Sequence, residues 1–142
     1  MVTAPGVTGL PLVEALTRAQ RRLARGLSAR LAEEEGTTLD QFRVLRALAG
    51  TDGRSMGELV ESLVVPHPTV TRVVDGLVDA GLVYRRQSDT DRRRVSVHLS
   101  RLGEQRLDRL TALVAAHEAA VRASEGWPTL REQLVELLGP RG

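Results

Sequence analysis

The amino-acid sequence predicts a mainly helical α+β fold: three short helices closed by a two-stranded hairpin, framed by long outer helices. Three observations predict it. Apolar residues recur at spacings of three and four over most of the chain. Strict alternation occurs once, from Arg94 to Ser100. The helical runs are delimited by capping boxes, glycines or prolines. At 142 residues, 42% hydrophobic and 27% charged, the chain reads as one globular domain, 1–142.

Residues 1–9 carry Pro5, Gly6 and Gly9 without periodicity and read as a loose tail. From Pro11, Leu12, Leu16, Ala19, Leu23, Leu27 and Leu31 mark a long amphipathic helix that stops at Gly36. It ends on Glu33, Glu34 and Glu35, whose charges oppose the helix dipole, so its last turn is expected to fray. Thr38 to Gln41 is a capping box opening a second helix, with Phe42, Val44, Leu45 and Leu48 inward. Asp52-Gly53 is a turn, and Ser55 to Glu58 is a second capping box opening a short third helix. After Pro66 to Pro68, a fourth helix carries Val70, Val73, Val74, Leu77 and Val78, and Gly81 ends it.

Leu82 to Gln87 and Arg94 to Ser100 form the strands of a hairpin whose tip is Ser88 to Asp91. Val95, Val97 and Leu99 share one face of the second strand. Ser100 caps a long helix bearing Leu102, Leu107, Leu110, Leu113, Val114 and Val121. Gly126-Trp127-Pro128 breaks it, and Leu130, Leu134, Leu137 and Leu138 mark a last helix.

Three helices followed by a ribbon, over residues 38–100, make a winged helix-turn-helix lobe. The outer helices, 10–36 and 101–139, present apolar stripes that so small a lobe cannot cover. A second copy would cover them, so they read as dimerisation helices, with Leu110 and Leu134 among the interface positions.

Cysteine is absent, which excludes disulfides, thiolate metal sites and thiol redox sensing. With no export signal or apolar run near ~18 residues, the chain is expected in the cytoplasm and off the membrane. His67, His98 and His117 are not at metal-ligand spacing, and no Gly-rich phosphate loop occurs. No enzyme, metal or cofactor is therefore expected.

All 20 basic residues are arginine, and the net charge is only +2. The pI of about 10.3 reflects missing groups that titrate between pH 8 and 11, not strong basicity. Position is more informative than total. Arg85, Arg86, Arg92, Arg93 and Arg94 face only Asp89 and Asp91, a net +3 within ten residues. On a narrow hairpin such arginines suit the minor groove of DNA, where negative potential is focused. On the fourth helix, the side opposite the valines shows His67, Pro68, Thr69, Thr71, Arg72 and Asp75. Short polar groups with one long arginine suit the major groove, where arginine can pair bidentately with guanine.

Three stretches carry a family resemblance: Leu39-Asp40-Gln41-Phe42-Arg43-Val44-Leu45, Pro68 to Leu77 followed by Ala80-Gly81-Leu82-Val83, and Asp91 to Ser100. In these the chain resembles the MarR family of bacterial winged-helix transcriptional regulators. The resemblance spans about residues 38–105, and the outer helices fit only by length and pattern. It implies a homodimer on double-stranded DNA at a pseudo-palindromic operator, often a repressor, often released by a small aromatic or phenolic effector. It implies that Arg72 contacts DNA from the recognition helix. It also implies that Arg93 enters the minor groove, that Asp91 holds a wing arginine, and that Arg92 assists at the backbone, with Arg86 and Arg94 beside them. A ligand cleft between lobe and dimer core would draw on Arg18, Arg43, Arg46, Tyr84 and His117.

Three features depart from the family pattern. Val64 stands where glycine is common, and a β-branched residue resists positive φ. Pro66 replaces the usual serine or aspartate cap of the recognition helix, a loss of about 1 kcal/mol. With one Phe, one Tyr and one Trp, an aromatic-lined pocket is disfavoured. Two rival readings stay open: a winged-helix protein-interaction module, and a constitutive DNA-binding protein without a ligand.

Overall fold

The computed structural model describes residues 9–125 and 129–140. The expected tail (1–8) and the break at Gly126-Trp127-Pro128 lie outside the described residues. The elements run α1 (Leu12–Glu35), α2 (Leu39–Leu48), β1 (Arg54–Ser55), α3 (Met56–Ser62), α4 (His67–Asp79), β2 (Val83–Gln87), β3 (Val95–Leu99), α5 (Arg101–Glu125) and α6 (Leu130–Leu138).

Both capping boxes form. Thr38 Oγ1 accepts from Gln41 N at 3.1 Å, and Gln41 Oε1 accepts from Thr38 N at 3.0 Å. Ser55 and Glu58 repeat the exchange at 3.1 and 3.0 Å. Pro66 caps α4 without a side-chain bond, as a residue lacking a polar group must. Val64 sits in the α3–α4 turn with 98% of its surface exposed, and no described non-glycine residue has positive φ. The turn therefore closes in ordinary extended and helical backbone, and the valine costs no strain there.

The sheet has one strand more than the sequence suggests. The two-residue β1 pairs antiparallel with β3, Arg54 opposite Val97, giving the order β1-β3-β2. β2 and β3 pair from Val83 opposite Leu99 to Gln87 opposite Val95. Gly53, at φ 89°, delivers the chain into β1, and a Cβ there would collide with the His98 ring. Two residues between a turn and a capping box are too few to show a period, so this strand leaves no local signal.

The core lies inside the lobe. Leu45, Leu48, Leu59, Val70, Val74, Leu77 and Val97 are buried around it, joined by Leu31 from α1 and Leu107 and Leu110 from α5. Leu110 is fully buried within its own chain, which corrects its reading as an interface position: it packs on the lobe core, not on a surface left for a second copy. The far ends of the outer helices are different, and Leu12, Val13, Val135, Leu137 and Leu138 are exposed.

The end of α1 is not frayed. Glu34 pairs with Arg30 at 2.8 Å. Glu35 receives Arg109 Nε at 3.2 and 3.3 Å on its two oxygens. Arg106 Nη1 donates to the Glu35 carbonyl and to Thr37 Oγ1, both at 3.2 Å. Two cations on α5 outweigh the unfavourable dipole, a compensation between residues about 70 positions apart.

Candidate nucleic-acid interface

The exposed side of α4 follows from its buried side. Val70, Val74 and Leu77, at spacings of four and three, anchor it to the core. His67, Pro68 and Arg72 are then left exposed, with Thr69 and Thr71 half-buried beside them. Thr71 Oγ1 donates to the His67 carbonyl at 3.3 Å, which leaves its lone pairs for another donor. Arg72 has no ion pair among the described residues, so its five donors are uncommitted. Asp75, on the same side, is tied by an ion pair to Arg85 of β2. Arg85 is thus a strut between α4 and the hairpin, a role that a count of arginines along the sequence cannot reveal.

The hairpin tip, residues 88–94, is organised by Asp91 and Ser88. Ser88 N donates to the Arg94 carbonyl at 2.8 Å, and Arg94 N to the Asp91 carbonyl at 2.9 Å. Ser88 Oγ accepts from Thr90 N and Asp91 N, both at 3.3 Å. Asp91 Oδ1 accepts from Arg93 N at 3.0 Å and from Arg93 Nε at 3.3 Å, and Oδ2 lies 3.9 Å from Arg94 Nε. The Arg93 side chain remains 92% exposed. Ion pairs this exposed contribute under about 1 kcal/mol. Their effect here is orientation: the carboxylate holds the arginine at its amide and at Nε while the side chain stays open to solvent. Arg86 lies 3.6 Å from Asp89, and Arg92 has no ion pair among the described residues.

The five cleft candidates divide. Arg43 and His117 line one cleft of about 590 Å³ between α1, α2, α5 and α6, together with Leu16, Leu23, Leu27 and Leu134. Arg43 is paired there with Asp40 at 2.8 Å, and the His117 ring lies over Gly26 of α1. Arg18 lies elsewhere, in a shallow groove along α1 with Arg21 and Arg25. Arg46 is exposed and does not line the cleft. Tyr84 lies in the hairpin, stacked on His98 with ring centroids 5.2 Å apart and planes 11° apart. Alternation along β2 puts it opposite His98 in the register, so it cannot also face the outer helices.

No group of three or more His, Asp or Glu side chains suited to a metal occurs among the described residues. No helix of the described residues is long and apolar enough to cross a membrane.

The MarR family profile matches residues 35–94, from the end of α1 to the wing. A putative transcriptional regulatory protein for the hcr operon of Thauera aromatica is 31% identical over 99 residues, 70% of this chain and 60% of that protein. The HTH-type transcriptional repressor Rv2887 of Mycobacterium tuberculosis is 34% identical over 106 residues, 73% of this chain and 76% of that one. Among solved structures, the transcriptional repressor CouR bound to a 23-mer DNA duplex superposes with a TM-score of 0.81 and 30% identity, covering 97% of this chain and 96% of CouR. Rv2887 in complex with p-aminosalicylic acid gives a TM-score of 0.74 at 32% identity, covering 92% and 99%.

Proposed function

The chain belongs to the MarR family of transcriptional regulators, and from that premise we propose that it is a homodimeric repressor, acting in the cytoplasm without enzymatic activity. It places its two α4 helices in successive major grooves of a pseudo-palindromic operator, about 34 Å apart. Each wing enters the flanking minor groove. One observation carries the reading: Arg72 and Arg92 are uncommitted, and Arg93 is exposed but anchored at its base by Asp91. His67, Pro68, Thr69 and Thr71 complete the major-groove face, and Arg86 and Arg94 add charge at the wing.

Two substitutions test it on one gel. Arg72→Ala is expected to cost about 1–3 kcal/mol and to relax the preference at one operator position. Arg93→Ala is expected to weaken binding to every sequence alike and, with one arginine lost from each protomer, to reduce the salt slope by about 2. If both variants bind as wild type does, the docking is wrong. If wild-type affinity is insensitive to salt, the wing meets an acidic protein instead.

The effector site is the cleft bearing Arg43 and His117. Among the described residues its apolar lining is aliphatic, from Leu16, Leu23, Leu27 and Leu134, with Arg43 and His117 beside it, which favours an apolar body carrying an acidic group. A ligand wedged there would change the separation of the lobes and shift affinity by its differential binding to two states. Operator affinity unchanged by every small acid tried, with wild-type folding, favours the constitutive reading.

A further inference from the structure

We propose that Glu35, with Arg106 and Arg109, sets the spacing between half-sites that the dimer accepts. The inference rests on the homodimer reading above. The chain enters the DNA-binding lobe through the elbow after α1 and leaves it along α5. Leu31, Leu107 and Leu110 pack both of these routes into the lobe core, and a polar tie between them adds the directional restraint that apolar packing lacks.

Glu35 ties them. Its carboxylate takes Arg109 Nε at 3.2 Å, and its carbonyl accepts from Arg106 Nη1 at 3.2 Å and from Thr37 Oγ1 at 3.1 Å. Thr37 is buried in the elbow, between Gly36 at φ 58° and the cap of α2. Arg106 and Arg109, at i and i+3 on α5, converge on this one carboxylate. Each placement is locally unfavourable. A carboxylate ends a helix against its dipole, and two like charges share one helix face. They become favourable only together, across the joint. The Arg30–Glu34, Arg43–Asp40 and Arg122–Glu118 pairs each span only three or four residues of one helix, and the Asp75–Arg85 strut lies inside the lobe.

The joint also has an incomplete contact that its geometry can close. Arg106 Nε is buried without a hydrogen-bond acceptor, and the nearest carboxylate oxygen, Glu35 Oε2, lies 3.7 Å away. A closer crossing of α1 and α5 completes that bond, and a wider one leaves it open. Small rotations matter at the DNA. At about 11 Å, the radius of gyration expected for a lobe of about 63 residues, a turn of roughly 18° moves a point by about 3.4 Å, one base-pair step.

The test selects bound duplexes from a random pool with the full chain, its Glu35→Gln variant and its Arg109→Gln variant. Arg109 is half exposed, so its variant folds even where loss of Glu35 disrupts the elbow, and thermal melts check both. Wild type is expected to recover paired half-sites at a single spacing. The variants are expected to recover the same half-site at two or three spacings, and to bind the wild-type spacing about 5- to 30-fold more weakly. Recovery of the same single spacing by both variants overturns the inference, and so does an equal loss of affinity at every spacing. Wild-type recovery of single, unpaired half-sites overturns the homodimer reading, and this inference with it.

Discussion

A chain carrying Leu137→Glu and Leu138→Glu is expected to sediment as a folded monomer and to bind a two-half-site operator at least about 100-fold more weakly than wild type. Both leucines are 65% exposed at the end of α6, and Leu12 and Val13 are as open at the start of α1. Covering a leucine contributes about 1.5–3 kcal/mol, and a two-fold interface covers each twice. Carboxylates there would be desolvated without partners, which costs several kcal/mol more. The two positions lie outside the lobe core, so melting of the lobe should hardly move. Leu110→Glu makes the contrast: it buries a charge in the core, and the expected result is an unfolded chain rather than a monomer. A monomeric wild type would sink the dimer.

Gly103→Ala is expected to destabilise the chain by about 3 kcal/mol or more, read as a lowered urea midpoint at unchanged m. Alanine would ordinarily favour a helix by about 1 kcal/mol at such a position. Here its Cβ would stand 1.9 Å from the Leu82 carbonyl oxygen. That backbone cannot give way easily. Leu82 N donates to the Leu77 carbonyl at 2.9 Å, Ser100 N donates to the Leu82 carbonyl at 3.0 Å, and Ser100 Oγ donates to the Gly81 carbonyl at 2.6 Å. The missing side chain is what lets α5 cross the start of β2. Gly57→Ala is the control: its nearest neighbour is Ser55 Oγ at 3.9 Å, its φ is negative, and it should gain about 0.5–1 kcal/mol. Equal stability of the Gly103 variant and wild type would refute the close crossing.

These residues also mark the limit of what the sequence discloses. The helices, the hairpin and both caps were legible because each depends on residues within about one turn of one another: Thr38 with Gln41, Ser55 with Glu58, Gly81 after Leu77. The family profile covers this same stretch, residues 35–94. What stayed hidden depends on partners far along the chain. Glu35 looked like a fraying end until Arg106 and Arg109 met it. Arg85 counted as one more wing cation until Asp75 claimed it. Gly103 could be suspected only as a glycine inside a strong helix, a signal that names no neighbour. The cleft candidates separated for the same reason, since Tyr84 and His117 lie on elements whose relative placement no periodicity encodes.

The hairpin tip, finally, is shaped before any partner arrives. Ser88 and Asp91 hold the backbone of residues 88–94, and Asp91 pins Arg93 at both its amide and its Nε. Immobilising a long side chain at an interface costs about 0.5–1.5 kcal/mol of conformational entropy. With Asp91 in place, part of that ordering occurs on folding. A wing so prepared should engage with little rearrangement, and Asp91→Ala should slow productive docking through lost order even though it makes the tip more positive.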